Sequence, residues 1–348
     1  MSVKFGIVIG DTDLYANAYR QSAFLSSNLL CGWVRRPSCP SDFYDVRLSG
    51  LKEYPSVAEM TASSDITAIV FFDFPTGRTI DVVRSLNAGI HVLCYGAFAS
   101  SLSDARDMAT AAARPGAVSC VAKPMMRGPY DRAIQKFLRS GRLGRITVMD
   151  VIQTSPANVH GGSFRPFELV KYIGGNALNI WEYADTLNAW LSPYESLYAV
   201  GAAPLGDQKY DAGLRRSDVA PQILMISGVL ANGAIAVEYH GGISRLKNNH
   251  DLLTVYGSLG TFRYHFGNHR AFFAEAGEDF VAMGDDILTR DPQEIDPAQE
   301  FFDIITRKAT PRDGLSLRPF EEALRIMQKV EAIRHSYLYN RPFDLSEL

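Results

Sequence analysis

"KFGIVIG" at residues 4–10 is an unbroken apolar run stopped by a glycine, and it is the first of a series. A run with no polar alternation fits a strand buried on both faces. A helical stretch over 15–27 follows. Then come a second run, "LLCGWVRR" (29–36), a short helix over 56–63, and a third run, "ITAIVFFDFP" (66–75), stopped by Pro75. "GRTIDVVRSLNAG" (77–89) reads as a helix closed by Gly89, and "HVLCY" (91–95) as a strand. Residues 101–113 read as a helix with Ser101 at its N-cap, and "VSCVAK" (118–123) as the closing strand. Strands separated by single helices form βαβ units, so the first part of the chain is expected to be a doubly wound parallel sheet.

Past residue 123 the pattern changes. Helices are expected over 128–144 and 174–191, with a strand over 145–155 between them and a polar loop containing His160. "ESLYAVGAA", "APQILMISGVL", "GAIAVEYHGG", "HDLLTVYGS" and "GTFRYHF" then follow as strands with short turns, and "AFFAEA" and "EDFVAM" extend the edge. Strands joined by Asn-Gly and Ser-Leu-Gly turns make an open, mainly antiparallel sheet. Two helices, over 297–308 and 318–339, end the chain. The expected fold class is therefore α/β. A Rossmann-type domain occupies 1–122, and an α+β substrate and oligomerisation domain occupies 123–348. In such a sheet the ligand crevice lies at the carboxyl ends of the parallel strands.

Composition removes several classes. The net charge is -3 over 348 residues, with no basic stripe, which argues against nucleic acid as a partner. No apolar run reaches the roughly 18 residues that suggest a membrane span. The N-terminus lacks the pattern of a secretory signal. Cys31, Cys39, Cys94 and Cys120 have no metal or redox spacing, which fits a reduced, cytoplasmic setting. His/Asp/Glu groups show no metal-ligand spacing either, so no metal is expected.

The segments "AGIHVLC" (88–94), "FLRSGRLGRI" (137–146), "GGNAL" (174–178), "VYGSLGTF" (255–262) and "NRPFDL" (340–345) occur in an order and spacing that resemble the Gfo/Idh/MocA oxidoreductases over nearly the whole chain. The resemblance implies an NAD(P)-dependent enzyme acting on a small sugar-like or polyol substrate. It also implies a homo-dimer or homo-tetramer formed through the open sheet of the second domain. In the family a GxGxxG turn holds the dinucleotide; here "GDTDLY" (10–15) keeps Gly10 and has Thr12 and Asp13 in the turn. Arg35 and Arg36 stand where an acidic residue often meets the ribose, which favours a 2′-phosphate and hence NADP over NAD. Pro75 matches the proline of the third βα loop.

The catalytic pattern departs further. The family's lysine, in a Glu-Lys-Pro segment, has Tyr95, Gly96 and Ala97 in its place. In the family's helix, an Asp, a His and a second Asp lie on one face; the run "GGNALNIWEYADTL" offers Asn179, Tyr183 and Asp185 at or near those positions, with Trp181 between. Tyr183 is the expected proton-transfer group, with Asn179, Asp185 and Tyr95 as further catalytic candidates. Lys123, His160, Lys171, Tyr172 and Trp181 are candidates for touching the substrate, and the aromatics among them suit a cyclic metabolite. Two functions stay open. One is an atypical oxidoreductase. The other is a non-redox descendant, a ligand sensor, scaffold or enzyme of another class, that uses the same cleft without nicotinamide.

Overall fold

A computed structural model describes residues 3–10, 22, 29–37, 39, 46–122, 125–154, 177–202, 221–242, 244, 250–284, 287–289, 296–306 and 316–348. The chain divides into two units: Met1–Pro124 with Glu294–Met327, and Met125–Gln293 with Gln328–Leu348. The boundary expected at 122/123 thus falls at 124/125. The second unit is also interrupted, because 294–327 returns to the first.

The first unit is built on the expected parallel sheet. Strands β1 (Phe5–Ile9), β2 (Leu30–Arg35), β3 (Lys52–Tyr54), β4 (Ala68–Phe72), β5 (His91–Cys94) and β6 (Ser119–Ala122) take the order β6-β5-β4-β1-β2-β3. All these pairings are parallel. Every residue of β1 and β4 is buried, as the unbroken apolar runs require. The helices begin as read: Ser101 accepts from the Asp104 amide at the start of Leu102–Ala112, and Ser56 caps Val57–Thr61. The helix expected over 15–27 lies outside the described residues. Leu317–Pro319 adds a short strand antiparallel to β6, and Phe301 of the helix Pro297–Ile305 packs on Phe5.

The second unit carries a nine-stranded sheet. It contains β7 (Ile146–Thr154), β8 (Tyr194–Ala202), β9 (Ile223–Leu230), β10 (Ile235–Gly241), β11 (His250–Gly257), β12 (Gly260–His265), β13 (Arg270–Glu275) and β14 (Val281–Ala282). Phe343–Asp344 adds the edge beside β8. The pairings are antiparallel except β10 with β7. Met149, Val151 and Gln153 of β7 are buried, whereas Ile152 is exposed, so one face is covered and one is open. The covered face meets the helix Ala177–Trp190, where Trp190 packs on Tyr264 and Phe266. It also meets the helix Asp131–Leu138, where Phe137 packs on Phe262 and Phe273. Trp190 Nε1 donates to Asp131 at 2.5 Å, tying the two helices together. No helix among the described residues is long and apolar enough to cross a membrane.

Candidate active site

At the carboxyl ends of β4 and β5 a buried arginine organises the backbone. Arg78 has no exposed surface. Its Nη1 donates to Asp73 O (3.1 Å) and Tyr95 O (3.0 Å), and its Nη2 to Phe98 O (2.9 Å) and to Ala97 O. The guanidinium fork therefore holds the loop after β5 in one shape. Within that loop Gly96 takes φ 73°. An L side chain there is strained by about 1–2 kcal/mol, so the position that the resemblance gives to lysine has acquired a backbone suited to glycine.

Tyr95 is buried and stacked on Phe72 at 4.3 Å between centroids, and its hydroxyl has no hydrogen-bond partner. Burial, then Asp296, pushes its phenol well above the usual range. Arg36 reaches Asp73 (2.9 Å) and Asp81 (2.6 Å) and keeps a buried Nη2 without a partner. Arg35 reaches Glu53 at 3.4 Å and lies over the Trp33 ring. Gly10 donates its amide to Phe72 O, which commits that N–H to the sheet. Pro75 is buried.

The second unit holds a row of buried polar groups. Tyr183 has no exposed surface and meets His240 edge-on at 5.0 Å and Phe266 at 5.4 Å. His240 faces Gln153 across the β10–β7 register, and Gln153 faces Asp251 across β7–β11. Four groups in this row have buried atoms without a partner: the Tyr183 hydroxyl, His240 Nδ1, both amide atoms of Gln153, and Asp251 Oδ1. Each such atom costs about 1–3 kcal/mol. Together they would consume much of the roughly 5–15 kcal/mol by which a domain is stable. Ordered water or a polar guest that satisfies them removes the conflict.

The electrostatics follow from burial. Tyr183 is pushed well above its ordinary value, first by burial and then by Asp251, Glu182 and Glu238, so it stays a hydrogen-bond donor near neutral pH. Burial raises Asp251 to about 6 and Glu182 to about 7. Both carboxyls bind protons more tightly in the folded chain, so stability falls as pH rises from about 4 to 7. Glu182→Gln is expected to flatten the upper part of that slope in denaturant titrations run at several pH values; an unchanged slope would assign it elsewhere.

No protein-family model matches the chain. It is 28% identical over 166 residues to 1,5-anhydro-D-fructose reductase of Ensifer adhaerens, which covers 47% of this chain and 50% of the relative. The chain thus matches about half the length of that curated relative. Among solved structures, levoglucosan dehydrogenase in complex with NADH and L-sorbose superposes with a TM-score of 0.75 at 15% identity, over 99% of this chain and 98% of that one. The WlbA dehydrogenase of Bordetella pertussis, in complex with NADH and UDP-GlcNAcA, gives 0.73 at 18%, over 99% of each. These two likenesses show the fold, and they join the motif order and the reductase match.

The motif order and these matches make the chain similar to the Gfo/Idh/MocA oxidoreductases, and the fold is shared.

In the first unit's sheet the strand order reverses between β1 and β4, and in doubly wound sheets dinucleotides bind beyond the carboxyl ends at such a point. The orphaned Arg36 Nη2 and Tyr95 hydroxyl belong to residues just past the carboxyl ends of β2 and β5, the strands that flank the β1–β4 pair. Two unsatisfied buried polar atoms fit a guest rich in phosphate and hydroxyl groups. Thr12, Asp13, Lys123, His160, Lys171 and Tyr172 lie outside the described residues. The backbone of Asn179 is helical, and its side chain is not among those described. Trp181 and Asp185 are buried in the same helix, Trp181 with an unpartnered Nε1. Gln153, Glu238, His240, Asp251 and Lys329 were missed by the sequence reading. The available signal lay in "IAVEYHG": Ile235 and Val237 are exposed, while Glu238 and His240 occupy the buried face. Among the described residues no group of three or more His, Cys, Asp or Glu could hold a metal. All four cysteines are free, and three are buried.

Proposed function

We propose that the chain is an NAD(P)-dependent oxidoreductase acting on a small ring-shaped metabolite that bears several hydroxyl groups. The observation that supports this most is the row of unpartnered donors and acceptors at Tyr183, His240, Gln153 and Asp251, beneath the helix that carries the family's catalytic pattern. Alternating donors and acceptors suit vicinal hydroxyls, each of which both donates and accepts. Gly10, Thr12, Asp13, Arg35, Arg36, Pro75 and Tyr95 are the residues proposed to hold the dinucleotide. When bound, its nicotinamide supplies the hydride chemistry. Arg36 keeps one N–H for a 2′-phosphate, but Asp73 and Asp81 already balance its charge. The preference for NADP over NAD is accordingly expected to be modest, below about tenfold.

On this reading Tyr183, kept protonated, donates to the substrate oxygen, while Asn179 and Asp185 orient the ring. Trp181 lies on the same helix, and Lys123, His160, Lys171 and Tyr172 stay candidates from the sequence alone. The test is a steady-state assay of 1,5-anhydro-D-fructose with NADPH or NADH, and of levoglucosan with NADP or NAD. Tyr183→Phe should lower kcat/KM by roughly ten- to a hundredfold, the loss of one hydrogen bond to a charged or charging oxygen, and leave Tm nearly unchanged. Full activity in that variant would remove the tyrosine from the reaction.

A second reading has one observation behind it. Gly96, with its carbonyl-lined loop held by Arg78, offers no ionisable group where the family has lysine. This favours a non-redox descendant, which predicts no dinucleotide-dependent turnover across a broad polyol panel.

The open face of the second unit's sheet exposes Val200, Met225, Ile152 and Val237. Val200, Met225, Tyr239 and Ile152 form one cross-strand row. We propose that this face pairs with a second copy. Met225→Glu should shift the protein to a smaller species in sedimentation, and an unchanged profile would place the contact elsewhere.

A further inference from the structure

We propose that His240, supplied by β10, is the proton acceptor of this site, with Glu238 and Lys329 as its positioning residues. The inference rests on the oxidoreductase reading but concerns the second unit alone. His240 Nε2 lies 3.0 Å from Glu238 Oε2. The other oxygen, Glu238 Oε1, accepts from the Tyr194 hydroxyl at 2.7 Å and from Lys329 Nζ at 3.2 Å. All four side chains are buried, and Lys329 also lies over the Tyr194 ring at 4.6 Å.

A carboxylate facing a lysine, a phenol and an imidazole can only accept. It therefore selects the tautomer with the proton on Nε2. That leaves a lone pair on Nδ1, the ring atom that is buried without a partner. Tyr183 stands edge-on to this ring, and Gln153 flanks it in register, so a hydroxyl that meets Tyr183 and Gln153 is placed to meet Nδ1. The arrangement has the logic of a carboxylate-oriented histidine base. The family's pattern puts a histidine at the position of Tyr183 on the helix; here the imidazole comes from the sheet opposite and the phenol from the helix. The step is a proton transfer: the substrate O–H bond breaks, the proton goes to Nδ1, and its electron pair stays on oxygen. Lys329, Tyr194 and the ring itself act on Glu238, and Asp251, Glu182 and Glu238 act on Tyr183 beside the ring.

The test uses the full-length protein with 15N-labelled histidine, His240 being assigned by the loss of its signals in His240→Asn. The expected result is a neutral ring protonated at Nε2 with an unprotonated Nδ1. Glu238→Gln should mix the two tautomers. Because that variant strands Lys329 and can fail to fold, the double change Glu238→Gln with Lys329→Met provides the same readout. In the redox assay His240→Asn should lose about a hundredfold or more in kcat, with KM changed far less. A wild-type ring protonated at Nδ1, or an unaltered kcat in His240→Asn, overturns the proposal. If wild type turns over no substrate, the oxidoreductase reading fails, and the tautomer alone decides whether His240 presents a lone pair.

Discussion

Lys329→Met is expected to destabilise the protein by about 3–5 kcal/mol, the typical effect of stranding a buried charge. Glu238 is 1% exposed and Lys329 likewise, so water cannot replace the lost partner. Burial alone raises the Glu238 carboxyl, yet Lys329, His240 and Tyr194 outweigh it and hold it at about 2. The folded value lies below the ordinary 4.5, so the contribution is complete above about 4.5 and is lost as pH falls towards 2. Wild type should therefore lose stability steeply over that acid range, and Lys329→Met should show a much shallower dependence there. The double variant with Glu238→Gln should recover much of the loss, because no uncompensated charge remains. Denaturant titrations at a series of pH values measure all three. Equal stability of Lys329→Met and wild type at pH 7 would show that the pair contributes nothing to folding.

Arg78→Met should be of similar size, about 3–5 kcal/mol. The substitution removes the donors to four carbonyls and one partner of Asp73, which is 3% exposed. Desolvation raises the Asp73 carboxyl, and Arg78 and Arg36 oppose that rise. Arg36 remains in the variant, so the acid is weakened in its pairing but not isolated. Arg78→Lys keeps the charge and loses the planar fork, and it should fall between wild type and Arg78→Met. Hydrogen exchange should show the first loss of protection at residues 95–98. Protection there equal to wild type would mean that the arginine does not hold the loop.

Much of this architecture is written locally in the chain. Unbroken apolar runs mark β1 and β4, Ser101 marks a helix start, and Asn232-Gly233 marks the β9–β10 turn, where Gly233 takes φ 82°. What escaped is non-local. Lys52–Tyr54 is three residues long with two of them exposed, too short to show any period. Leu317–Pro319 joins β6 from almost two hundred positions away. The parallel pairing of β10 with β7 is the exception in a mainly antiparallel sheet, because strands adjacent in sequence are not the only neighbours in space.

The site divides the same way. The helix with Tyr183 and Asp185 could be placed from the order of its motifs, and its burial follows from its apolar neighbours. The strand "IAVEYHG" inverts the usual rule, with Ile235 and Val237 outward and Glu238 and His240 inward. Read by alternation, it places its apolar residues on the wrong face. Only the lysine that arrives from 91 residues further along shows why a carboxylate is tolerated inside. In the same way, the absence of a lysine at 96 says little until Arg78 is seen holding that loop by its carbonyls.

The central proposal is that this chain, which resembles the Gfo/Idh/MocA oxidoreductases but has Gly96 where they have lysine, uses a nicotinamide dinucleotide. Calorimetric titration of the full-length protein with NADPH, and separately with NADH, tests this directly. A saturable isotherm with micromolar Kd for at least one of them is predicted. Heats indistinguishable from dilution for both, at millimolar ligand, would contradict it.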